Sequence, residues 1–206
     1  MSYIALDIEL QAIKYFLSKT LEAVDTEIAI ISEREEAGEF LELDYFENEL
    51  FFPMQREAIA IMAVFHEINA LVEWGLYSFA SEPYRNAAQH KTTPKSIFDA
   101  SSIDEVSRIK PVYALPVGKV QKLIEEYYEI KLSDLPSFTE IQHVREAVNA
   151  FKHRRGFKDV RRYPDSKIGE KFQPTREDAY QAIDGAKVFL KTLDKECKRC
   201  ADELTK

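Results

Sequence analysis

The sequence predicts an all-α protein, a compact bundle of four to five main helices, and three observations carry that expectation. Apolar residues recur at steps of 3 and 4 over residues 4–37 and again over 179–200, the period of one helix face. Glycine (6) and proline (8) are few among 206 residues, which disfavours a turn-rich β architecture. Apolar residues at 45% and charged residues at 31% are those of a globular chain that buries a core of its own. Residues 1–206 read as a single helical domain, with a long N-terminal helix and an acidic, aromatic segment (1–52) packing on a core formed by 53–206.

The first helix carries its stripe on Leu6, Leu10, Ile13, Leu17, Leu21, Val24, Ile28 and Ile31. No glycine or proline intervenes before Gly38, whose position suits a left-handed helix end. At 1.5 Å per residue this helix spans roughly 45–50 Å. One small domain does not cover that length on all sides, so part of the stripe is expected to face a second subunit. Residues 39–52, EFLELDYFENELFF, combine acids with aromatics and read as a short helix or a wrapping loop. Pro53 suits the first turn of a second helix running to residue 82, apolar nearly all round at AIAIMAVF (58–65). His66 and Asn69 lie three apart on it and read as a hydrogen-bonded polar pair near the core. One histidine beside one acid is too little for zinc.

Pro83 is expected to end that helix, and residues 91–117 read as a long connection. Residues 117–131 form the next helix, with Val120, Leu123, Ile124, Tyr127 and Tyr128 facing inward. Ser137-x-x-Glu140 has the capping-box pattern and opens another, which Gly156 ends. Residues 157–174 read as an irregular basic loop. Thr175-x-x-Asp178 then caps the last helix, whose seam is Ala179, Ile183, Ala186, Leu190, Leu193, Cys197 and Cys200. Both cysteines fall on this seam, which assigns them to packing rather than to metal or redox chemistry, and two cysteines fit a reducing cytoplasm. The N-terminus has no basic leader region and no stretch of about 18 uninterrupted apolar residues occurs, so neither a secretory signal nor a membrane contact is expected.

Charge is unevenly spread. The net charge is −8, yet residues 1–57 hold 14 acids and 4 bases (−10), while residues 140–176 hold 5 acids and 10 bases (+5). The basic segment includes the stretch SFTEIQHVREAVNAFKHRRGFK (137–158). There Ile141, Val144, Val148 and Phe151 make an apolar stripe, and Arg145, Asn149, Lys152 and His153 a polar one beside it. Arg154 and Arg155 follow at once. Arginine and lysine hold phosphate and stabilise charge building on it, histidine moves a proton near neutrality, and asparagine orients either. These residue types suit metal-free RNA cleavage through the 2′-hydroxyl, and they suit RNA or anion binding equally well. They also suit a plain structural role, satisfying the last carbonyls and the dipole of a helix end. No metal site and no cofactor motif is present in the sequence.

The long amphipathic helix, the apolar helix with FHEINALVEWGL and the later R-x-x-x-N-x-x-K-H together resemble the HEPN superfamily over roughly residues 55–155. The resemblance implies a compact all-α homodimer. It implies either a metal-independent endoribonuclease of a toxin or phage-defence type, or an RNA-binding relative, with an antitoxin or other protein as a further partner. The family hallmark is R-x(4–6)-H, often R-N-x-x-x-H. Carried onto this chain, it makes Arg145, Asn149 and His153 the catalytic candidates, with Lys152, Arg154 and Arg155 holding flanking phosphates. The position five before His153 is Val148, where the hallmark has arginine. Arg85-Asn86-Ala87-Ala88-Gln89-His90 matches R-N-x-x-x-H by letter and is the secondary candidate. The alternative is a non-catalytic helical interaction or oligomerisation module.

Overall fold

The computed structural model describes residues 3–40, 43–88, 112–159 and 161–204; for residues 3, 43–44, 82–88 and 201–204 it describes the backbone alone. Among them are five α-helices: α1 (Tyr3–Glu36), α2 (Leu43–Ala88), α3 (Val117–Tyr128), α4 (Phe138–Arg154) and α5 (Arg176–Leu204). One turn of 3-10 helix, Leu132–Asp134, joins α3 to α4. The architecture is the all-α bundle that the periodicity predicts.

α1 and α2 form a hairpin. Gly38 closes α1 at φ +75, a left-handed angle that glycine takes without a Cβ clash, and its amide bonds the Glu35 carbonyl at 2.9 Å. α2 then begins ten residues before Pro53, so that proline sits inside the helix and the 43–52 segment is helical. Pro53 removes one backbone bond from the helix interior. Aromatic packing around that segment offsets the loss: Phe46 tilts against Phe40 at 5.7 Å between centroids, and Arg34 of α1 lies over Phe40 at 4.9 Å. The helix also continues through Pro83 to Ala88. Its 46 residues give α2 a length of about 69 Å.

Leu6, Leu10, Leu17, Leu21, Val24 and Ile31 are all buried within the chain, because α2 runs beside α1 and α5 closes over both. Ile13 and Ile28 of the same stripe are partly buried. α5 is anchored by ion pairs to α1, Lys14 to Asp184 at 3.1 Å and Lys187 to Asp7 at 2.9 Å. At its N-terminus the predicted capping box forms: Thr175 N donates to Asp178 Oδ2 at 2.8 Å and Asp178 N to Thr175 Oγ1 at 3.2 Å. Its seam from Ala179 to Cys200 is buried, neither cysteine is in a disulfide, and Cys200 Sγ donates to the Tyr128 carbonyl at 2.8 Å.

Within α2 one 18-residue window reaches a mean hydropathy of 1.4, enough by length and composition to cross a membrane; half of it is buried in the bundle, as a central helix requires. On α3, Val120, Ile124 and Tyr128 face the core as expected, while Tyr127 remains 37% exposed. α4 starts differently from the expectation. Ser137 holds φ +62 and its hydroxyl makes no cap bond, so the capping-box letters there do not form a box.

Candidate nucleic-acid interface

α4 is buried by Ile141, Val144, Ala147, Val148 and Ala150, which seat it against α2 and α5. This sets Arg145 in the groove between α4 and α2. Arg145 is half-buried there and lines a small cavity with Asn69 and Glu73 of α2, Gln121 of α3 and Gln142. Asn69 Nδ2 donates to Glu73 Oε1 at 3.2 Å, so the partner of Asn69 is one turn onward and not His66. Two turns further along α4, Lys152 acts electrostatically on His66, two turns back along α2 from Glu73. The helices therefore run in opposite senses here, and His66 joins the stripe from the facing helix.

The charges in this groove have readable consequences. Partial burial holds the His66 imidazole below its ordinary pKa of 6.5; the Lys152 ammonium lowers it further and the neighbouring Glu67 raises it. Tyr77 at the other end is pushed up by burial and by Glu73, with Arg145 opposing. Its hydroxyl donates to the Leu115 carbonyl at 2.5 Å.

The three catalytic candidates are spread over about two turns of α4. Arg145 and Asn149 are half-buried, whereas His153 is exposed on the last turn. Eight residues of helix separate Arg145 from His153 by about 12 Å along the axis. For the secondary candidate, Arg85 and Asn86 fall on the backbone of the last turns of α2 with undescribed side chains, and His90 lies outside the described residues.

The end of α4 and the loop after it are organised by a buried acid that the sequence pattern did not flag. Glu146 is 9% exposed and pairs with Arg162 from the loop and with Arg154 at 3.8 Å. Arg154 Nε also donates to the Phe157 carbonyl at 3.1 Å. Arg154 is thereby a fastener between helix and loop. Arg155 and Gly156 both take left-handed angles, φ +52 and +86, and the Gly156 amide bonds the Ala150 carbonyl at 2.9 Å. A Cβ at Gly156 would stand 3.1 Å from the Phe151 ring. The chain then returns through an antiparallel bridge between Phe157 and Lys171, with Phe172 buried beneath and Lys158 paired to Glu170. Lys171 Nζ lies 4.8 Å from the centroid of the Phe157 ring.

This arrangement sorts the cations of the segment into two groups. Arg154, Lys158, Arg161, Arg162 and Arg176 are paired with Glu146, Glu170, Asp159, Glu146 and Glu57, respectively. Lys152, His153, Arg155, Lys167 and Lys171 are exposed and make no ion pair among the described residues, Lys167 standing three residues before Glu170. Among the described residues no group of three or more His, Cys, Asp or Glu side chains could hold a metal ion.

Comparison of the chain with protein-family models, with curated proteins and with solved structures finds none that matches it.

Proposed function

We propose that this protein binds RNA at the C-terminal end of α4, without cleaving it, through phosphate contacts made by Lys152, Arg155 and Lys171, with His153 beside them. The observation that carries the reading is the sorting just described: in a chain of net charge −8, Lys152 and His153 on the last turn of α4, Arg155 just after it and Lys171 across the bridge from Phe157 are exposed with no ion pair among the described residues. Such a patch attracts a polyanion, and the half-exposed Phe157 ring among the bases adds a surface for an unpaired base. The absence of an ion pair or hydrogen bond joining Arg145, Asn149 and His153 among the described residues leaves binding as the simpler reading of this patch.

The test is fluorescence anisotropy of a labelled single-stranded RNA titrated with the purified protein, with the RNA run on a denaturing gel afterwards. The expected outcome is saturable binding that weakens with salt and leaves the RNA intact. No binding at low salt would overturn the reading. Cleavage that disappears in His153→Ala would favour the endoribonuclease instead.

A further inference from the structure

The hairpin of α1 and α2 outruns the rest of the bundle. Arg176, at the first residue of α5, marks where the third layer stops: its guanidinium bonds Glu57 of α2 at 2.5 and 2.7 Å and Asp25 of α1 at 3.0 Å. From there α5 runs back toward Asp7. Past this clasp, residues 26–36 of α1 and 43–56 of α2 continue as a two-helix arm, about 16 and 21 Å long at 1.5 Å per residue.

Two helices cover only one face of each other, and the outer faces of this arm are apolar. Ile30 is 52% exposed, Tyr45 61%, Phe51 55%, Phe52 68% and Met54 60%. Tyr45 and Phe52 stand seven residues apart, and the 67% exposed Ile59 seven further on, so they form one stripe with the repeat of a helix–helix seam. Beside them lies an open groove of about 600 Å³ along α1, with Ala23, Ile30 and Ile31 as its apolar lining and Glu22, Glu27 and Glu49 beside Lys19 and Arg34 as its charged residues. Large exposed apolar side chains grouped in this way mark a docking surface.

The charge of the arm selects the occupant. Residues 26–56 contain nine acids and two bases, a local charge of −7, and both bases are engaged, Arg34 with Glu39 and Glu49 and Arg56 with Glu27. Glu33, Glu35 and Glu47 are exposed with no basic partner among the described residues. A second copy of the arm would meet like charge along its length, as would RNA or an anionic lipid surface. We propose that the arm docks a basic, amphipathic helix of a partner protein, whose apolar face covers Ile30, Phe52 and the groove between the acids. This surface lies on a different part of the chain from the RNA-binding end of α4 and does not depend on it.

The experiment uses the full-length protein and a labelled synthetic helix of leucine and lysine, about 18 residues long so that it forms a helix on binding. A leucine–glutamate helix of the same pattern is the control. The leucine–lysine helix is expected to bind the parent and to bind Ile30→Ser/Phe52→Ser about tenfold more weakly. Glu33→Gln/Glu47→Gln is expected to weaken it too. Ile168→Ser, at a 95% exposed site in the basic loop, is expected to leave it unchanged. Circular dichroism of each variant establishes that the helices persist; if the serine variant unfolds, the glutamine variant decides. Equal binding by the parent and the arm variants overturns the proposal. So does equal binding of the leucine–glutamate helix. A parent dimer that Ile30→Ser/Phe52→Ser converts to monomer in sedimentation overturns it in favour of a second copy.

Discussion

Removing the Lys152 ammonium should change the salt dependence of RNA binding by a calculable amount. Three lysine and arginine side chains, Lys152 and Arg155 at the end of α4 and Lys171 across the bridge from Phe157, are exposed without ion pairs among the described residues. Each phosphate neutralised on a single strand releases counterions and contributes about −0.7 to the slope of log affinity against log salt. Three contacts give a slope of about −2.1, so raising salt from about 50 to about 200 mM weakens binding roughly twentyfold. Lys152→Ala leaves two contacts, a slope of about −1.4 and a loss of roughly sevenfold over the same range. The assay is anisotropy of labelled single-stranded RNA at a series of potassium chloride concentrations. Lys14→Ala is the control, because Lys14 pairs with Asp184 on the α1–α5 side of the bundle. A Lys152→Ala slope equal to that of the parent refutes the reasoning, and so does an equal change in Lys14→Ala.

Three further outcomes follow from the same geometry. The His66 pKa is lowered by burial and then by Lys152, so the unfolded chain takes up a proton before the folded one does; stability should fall as pH drops through about 6.5, and His66→Gln should flatten that fall in denaturant titrations followed by circular dichroism. Arg176→Ala removes the bonds to Glu57 and Asp25; because this guanidinium is a third exposed, the expected cost is about 1 kcal/mol, seen as a melting temperature about 2–4 °C lower, and an unchanged melting curve would show that the clasp contributes nothing. Glu146→Ala frees Arg154 and Arg162 and should loosen the loop, read as faster proteolysis between residues 157 and 171 while the helical content stays the same.

Periodicity carried much of the fold because a buried stripe leaves a regular mark. The α5 seam is buried as its spacing requires, and so are Ile141, Val144 and Val148 of the α4 stripe, with Phe151 partly buried. The extent of α2 was not legible, because Pro53 and Pro83 signal helix ends locally while the helix runs on through both. The letters of a capping box proved ambiguous for a similar reason: Thr175 and Asp178 make the bonds, whereas Ser137 takes a left-handed angle and makes none. At the candidate interface, the grouping of Arg145, Asn149 and Lys152 on one flank of α4 was visible from spacing alone. Which bases are free was not, since that depends on Glu146, a residue whose partners come from Arg154 on its own helix and Arg162 across the loop. The arrival of His66 opposite Lys152 likewise depends on how α2 and α4 are aligned.

The most direct test of RNA binding at the end of α4 is a nitrogen–proton NMR titration of the labelled protein with single-stranded RNA. The account predicts shift changes clustered on residues 152–158, on Lys171 and on the amide of His66, growing together toward saturation. Changes confined to other helices, or none at RNA excess in low salt, would contradict it.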